Sequence, residues 1–216
     1  MLMAYIIFSS LIIISVGCIL HFIYDWMKKK KSVALIGAIN ESTWEHTKIG
    51  LIPALLFNSI YLLTLHDPLY HLPAFLPSLA AALLIILIAV PGIFYFKNIF
   101  IKKEVVWQDI LIFCIAIILA QCAFKAIFTF YSNPYNFIDC PSSLSCDYYG
   151  SLIVPNYIII PSIIFIIFIL VAIPLFTFYP PKNFLFIDPR NKKYGFKGGE
   201  KKRHLRRAKG KKATKK

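Results

Sequence analysis

Five stretches of the chain are apolar almost without interruption, and the polar residues gather between them. They cover residues 3 to 24, 49 to 65, 73 to 96, 107 to 130 and 153 to 178. Crossing the hydrocarbon core of a bilayer takes about 20 mostly apolar residues in a helix. An open sheet would leave backbone groups unpaired in lipid, so the pattern predicts helices. The expected fold class is all-α: a polytopic transmembrane helical bundle of about five spans over residues 1–181. A basic, largely disordered tail is expected over residues 182–216. Pro91, Pro161 and Pro174 fall inside or near the ends of spans and are expected to kink them, which membrane helices tolerate better than soluble ones. No internal repeat of the transporter kind is visible, although association into a homo-oligomer could supply one.

Composition agrees with the pattern. The 216-residue chain is 58% hydrophobic with a mean hydropathy of +0.68, too apolar to cover a water-exposed globule. Charge then orients the spans. The connections at 27–48 and 97–106 carry Lys28, Lys29, Lys30, Lys31, Lys48, Lys97, Lys102 and Lys103, whereas those at 66–72 and 131–152 contain no Lys or Arg. Positive connections belong in the cytoplasm. The region after residue 178 holds 15 of the 24 basic residues, so the N-terminus is expected outside and the C-terminus inside. A cleaved signal peptide would need a basic n-region, and MLMAYII has none, so the first span reads as a retained anchor.

Cys18, Cys114 and Cys122 lie in expected spans and act there as small apolar side chains. Cys140 and Cys146, in IDCPSSLSCDYYG, fall in a connection assigned outside, where five intervening residues allow a small disulfide ring. A zinc site there has little support, with only Asp139 and Asp147 beside the pair. Lys125 is the one cation within a span; it can snorkel towards the surface or join Gln121 in an internal polar path, and snorkelling is the favoured reading.

The densest polar cluster is NESTWEHTK, residues 40 to 48. Ser42 followed three residues later by Glu45 is the pattern of a capping box, with Trp44 as an interfacial anchor. Capping leaves Asn40, Glu41, His46 and Lys48 without a role. The first span ends in HFIYDW at the same face, placing His21 and Asp25 one turn apart. If the first two helices are neighbours, His21, Asp25, Asn40, Glu41, Glu45, His46 and Lys48 can line one polar pocket. Two imidazoles with carboxylates suit a divalent metal ion, a proton relay or a small polar ligand, and His21, Asp25, Glu41 and His46 are the candidate metal ligands. The bland alternative is a set of solvated headgroup-level residues. No HExxH, GxSxG or GxxxxGK[ST] motif is present, so named hydrolase or nucleotide chemistry has no support. Between lysines and cluster, SVALIGAI is too short to span and is expected to dip into the interface, presenting Asn40 and Glu41 at its lip.

GCILHFIYDW, NESTWEHTK and, after the last span, FIDPRNKKYGF together resemble an uncharacterised family of small multi-spanning bacterial membrane proteins, a domain of unknown function with HFxYDW and NESxWEHxK motifs. The resemblance runs from the first span to about Phe196. It implies a multi-pass protein of the bacterial cell membrane, with His21, Asp25, Trp26, Asn40, Glu41, Trp44, Glu45, His46 and Lys48 as positions of one shared pattern. It implies no activity, substrate or cofactor.

The final KGGEKKRHLRRAKGKKATKK lacks apolar periodicity. Beside a membrane it is expected to hold anionic lipid headgroups. Nucleic acid is the less favoured partner, because the segment has no aromatic residues for stacking. Two functional classes remain open: a membrane-embedded site built on the histidines and carboxylates, or a structural, partner-binding protein whose polar motif only caps and packs helices.

Overall fold

The architecture, taken from a computed structural model, is described for residues 2–100, 106–132 and 154–199. Cys140, Cys146 and the tail from residue 200 onward lie outside the described residues. Five long helices make up the bundle: α1 (Leu2–Trp26), α2 (Thr43–Leu63), α3 (Pro68–Phe100), α4 (Val106–Ser132) and α5 (Asn156–Phe178). All five are long and apolar enough to cross a membrane, which makes this a multi-pass membrane protein. Among the described residues there is no strand, only one isolated bridge between Ile187 and Tyr194.

Two helices start earlier than hydropathy alone suggests. The first, α2, begins at Thr43 rather than 49, so the polar NESTWEHTK segment supplies its first turns. Likewise α3 begins at Pro68 rather than 73: Pro68 suits the first helical position, and the Asp67 carboxylate accepts from the Tyr70 N–H at 3.1 Å.

Central α3 packs on α4, α2 and α5, while α1 packs on α4 and α2. Ile13, Leu51, Leu83, Ile86, Ile117 and Phe124 fill the interior. Large apolar side chains also cover the outside, with Phe8, Leu11, Ile88, Ile164 and Val171 all more than half exposed. A water-soluble bundle would not present such a surface; a lipid-facing one does.

Gly17 lets α1 come close to the α2 backbone, and Gly50 makes room on α2 for α3 and α4. A Cβ on Gly17 would stand 2.7 Å from Cζ of Phe113 and 3.1 Å from the Ile49 carbonyl oxygen; one on Gly50 would stand 3.1 Å from Cε2 of Phe113. Hydrogen at these positions lets the helix backbones approach with the Phe113 ring wedged beside them, the small-residue packing of membrane helices. The same crossing lies one turn from His21 and from His46.

After Trp26 the chain reverses through Lys28 and Lys29, both at positive φ (55° and 61°), and folds back on α1. The Ala38 N–H donates to the Leu20 carbonyl at 3.2 Å. A 3₁₀ turn, Val33–Leu35, buries Ala34, and Ile39 packs with Tyr24. SVALIGAI is therefore a folded-back plug, and Glu41 just beyond it faces His21 of α1.

Residues 182–199 depart from the expectation of a largely disordered tail starting at 182. They cross the same end of the bundle as an ordered strap. Phe186 buries against Trp44 and Phe176, the Trp44 N–H donates to the Leu185 carbonyl at 3.0 Å, and the Tyr95 hydroxyl donates to that of Phe184 at 3.0 Å. Aromatic anchors spaced along a basic segment give it enough buried apolar surface to fold, which composition averaged over 35 residues conceals.

At the far end of the bundle Lys125 points into an aromatic box. Its ammonium donates to the Tyr61 hydroxyl at 2.9 Å and lies 4.9 Å from the Tyr5 ring centre and 5.4 Å from that of Phe128. Cation–π attraction and one hydrogen bond hold the charge there, alongside any snorkelling. Gln121, one turn earlier, is fully buried.

Candidate functional site

Three side chains converge where α1, the plug and α2 meet. Nε2 of His21 and Nε2 of His46 each lie 3.8 Å from the same oxygen, Oε2 of Glu41. The two imidazole centres are 5.2 Å apart, and the three ligand atoms all fall within 4.8 Å of one another. Each arrives from a different element. His21 is carried by α1, one turn beyond Gly17; His46 by the first turns of α2, one turn before Gly50; Glu41 by the loop between them. The close approach of α1 to α2 at Gly17, one turn before His21, helps bring the two rings together.

Backbone interactions fix the parts. Nδ1 of His46 is 3.0 Å from the Ser42 carbonyl, which can only accept, so Nδ1 carries a proton and Nε2 is the nitrogen turned towards Glu41. The Glu41 loop is pinned on both sides. Asn40 accepts from the Ser42 N–H at 2.8 Å and donates to the Gly195 carbonyl of the strap at 3.0 Å. The Ile39 N–H donates to Oε2 of Glu45 at 2.9 Å. The second oxygen of Glu41 receives Nη1 of Arg190 at 2.9 Å.

Other expected pocket residues do different work. No capping box forms: Ser42 occupies the N-cap position but makes no side-chain cap bond, and Glu45 reaches past it to Ile39 and Lys48. The plug offers Glu45 an amide donor and an ammonium, a stronger pairing than the cap. Lys48 does not line the site. Its side chain is fully buried, 2.7 Å from Oε2 of Glu45, 2.8 Å from the Ala34 carbonyl and 3.3 Å from Oγ1 of Thr177 on α5. Asp25 is absent from the three-ligand group; one turn beyond His21, half exposed, it meets Lys29 at 3.6 Å. Asn40 is buried and spent on backbone groups. Trp44 lies under the strap against Phe176 and Phe186 instead of anchoring in the interface.

Arg190 is the site residue that sequence reasoning missed. It belongs to FIDPRNKKYGF, where Asp188, nearly fully buried, accepts from the Arg190 N–H at 2.8 Å and from the Asn191 side chain at 3.3 Å. Lys192 and Gly195 sit at positive φ (57° and 53°), closing the turn back through the Ile187–Tyr194 bridge. The Asp-Pro-x-Asn spacing is a turn signal that could have flagged a folded segment.

At 3.8 Å both Nε2–Oε2 distances lie beyond hydrogen-bond range and within that of an ion pair, and the three atoms are grouped as the ligands of a metal ion would be. Donors about 2.1 Å from one ion stand roughly 3.0 Å apart at a right angle and about 3.4 Å apart at the tetrahedral angle. Closing the two 3.8 Å gaps to either spacing takes less than about 1 Å, and drawing in the whole group, bounded at 4.8 Å, takes up to about 1.8 Å of side-chain movement. A separate cleft of about 790 Å³ between α3, α4 and α5, lined by Pro77, Ala80, Ala126, Phe130 and Phe165, is almost wholly apolar and offers no such chemistry.

An all-helical, multi-pass bundle with a histidine–carboxylate cluster at one end is thus the class that fold and site define. The chain belongs to a family described as "Family of unknown function (DUF6512)", whose model matches residues 2–140. The match takes in His21, Glu41 and His46 but ends short of the expected reach to Phe196, so Arg190 and the strap lie beyond it. No curated protein and no solved structure matches the chain.

Proposed function

We propose that this membrane protein binds a divalent transition-metal ion through Nε2 of His21, Nε2 of His46 and Oε2 of Glu41. The observation that carries the reading is the convergence of three ligand atoms, from three elements, within 4.8 Å. Two imidazoles and one carboxylate are the donor set of catalytic zinc sites and of non-haem iron(II) sites. Structural zinc sites use four protein ligands, so three leave coordination positions for water or substrate. The Ser42 carbonyl on Nδ1 of His46 is the kind of outer partner that orients such a ligand.

Zinc titrated calorimetrically into the purified full chain should bind at one ion per chain. His46→Ala and Glu41→Gln should weaken binding by on the order of 100-fold or more while elution and helical content stay unchanged. Unchanged affinity in both variants would exclude the reading.

A second reading has its own support. Glu41 pairs with Arg190 while Asn40 bonds Gly195, so the cluster also works as a clasp holding the strap to the plug. A pure clasp predicts that zinc leaves the melting temperature unchanged. For the wider setting we propose the bacterial cell membrane, with the site on the cytoplasmic side, following the lysine-rich connections, and with the basic residues after 199 against anionic lipid.

A further inference from the structure

Resting on the metal reading above, we infer that the open coordination positions take an oxyanion of the phosphate-monoester class, and that Arg190 is the residue that selects it. The inference comes from charge and from where the guanidinium is held. A divalent ion and Arg190 together bring three positive charges to a group whose one carboxylate is Glu41. Two neutral imidazoles add nothing, because a ligating nitrogen must be unprotonated. The surplus of two positive charges matches a phosphate dianion.

Arg190 can reach such a ligand. A guanidinium carries five N–H donors in a planar fork, and the bond to Oε1 of Glu41 uses Nη1. The side chain is half exposed, so its outer edge faces solvent beside the Glu41 carboxylate. Its backbone is anchored to the buried Asp188, so the fork is presented from a fixed turn. Phosphate and carboxylate are the groups that this fork fits in bidentate fashion. Held against Glu41, the arginine weakens attraction for a cation and strengthens it for an anion, in addition to clasping the strap.

One phosphate chemistry has two sources here. The site sits where α1 ends and α2 begins, with Trp26 exposed nearby, at the level where lipid headgroups lie. A headgroup phosphomonoester and a soluble phosphate present the same oxygens.

The test uses the full chain loaded with zinc and titrated with inorganic phosphate. Wild type should bind phosphate, and Arg190→Gln should weaken it by on the order of 10–100-fold, the loss of a charge-assisted pair. The same variant should still take up one zinc ion per chain, so the loss is read as phosphate affinity of the loaded protein. Arg190→Lys, which keeps the charge and loses the fork, should fall between. Zinc binding without phosphate binding, or equal phosphate affinity in wild type and Arg190→Gln, overturns the inference while leaving the metal site standing. Failure to bind zinc overturns both. Repeating the titration in nanodiscs containing phosphatidic acid or phosphatidylcholine separates the sources: competition by phosphatidic acid alone assigns the headgroup, and its absence the soluble ion.

Discussion

Replacing Lys48 with methionine tests how the site is held in place. Lys48 is fully buried and Glu45 is 2% exposed, so the pair has no access to bulk water. Its ammonium meets three acceptors: Glu45 at 2.7 Å, the Ala34 carbonyl at 2.8 Å and Thr177 at 3.3 Å. Methionine fills a similar volume but leaves the Glu45 carboxylate buried with only the Ile39 N–H beside it. Removing one partner of a buried pair costs about 3–5 kcal/mol, mostly through the charge left behind. The double variant Glu45→Leu/Lys48→Met removes both charges but leaves the Ile39 N–H and the Ala34 carbonyl without their partners, so it should recover only the part of the loss that comes from the unpaired carboxylate. Thr177 keeps its own bond to the Ile173 carbonyl at 2.7 Å and is not orphaned. Reversible unfolding in mixed micelles would read the three free energies. Zinc affinity should also fall about 10–100-fold in Lys48→Met, because the Glu45–Ile39 contact beside Glu41 loosens. A change below about 1 kcal/mol in the single variant, or a double variant as unstable as the single, would refute the reasoning.

Further outcomes follow from the same geometry. Gly17→Val should push α1 away from Phe113 and the Ile49 backbone, lowering both stability and zinc affinity, whereas Gly92→Ala, with nothing within 4 Å of its added Cβ, should leave both unchanged; thermal melts with and without zinc compare them. Ser42→Ala should cost well under the roughly 1 kcal/mol typical of an N-cap serine, because its hydroxyl makes no cap bond, while Asn40→Ala should cost about 1–2 kcal/mol for two lost buried bonds; micellar unfolding measures each. Reporter fusions at residues 68, 100 and 145 should read outside, inside and outside, and an inside result at 145 would reverse the proposed orientation.

The helices were legible because lipid-facing surface writes itself into long apolar runs, and five runs gave five helices. Their polar ends were harder to read. Hydropathy cannot mark the start of α2 within NESTWEHTK, and a capping-box spacing does not show that Glu45 has better partners in a plug folded back from residues 32–39. Lys48 looked like a pocket residue because the acceptors that bury it come from three separate elements. The pairing of His21 with His46 had one local signal: His21 stands four residues from Gly17, where α1 comes within contact of the α2 backbone. Arg190 was hidden by composition, since one arginine among fifteen basic residues after position 178 is conspicuous only once the strap is seen to fold.

The central claim is that His21, His46 and Glu41 act together as ligands of one ion. X-ray absorption at the zinc edge of the loaded full chain tests it most directly. The account predicts a first shell of nitrogen and oxygen at about 2.0–2.1 Å with outer-shell scattering from two imidazoles, falling to one in His21→Ala or in His46→Ala. A spectrum showing sulfur at about 2.3 Å, or imidazole scattering unchanged in both histidine variants, would contradict it.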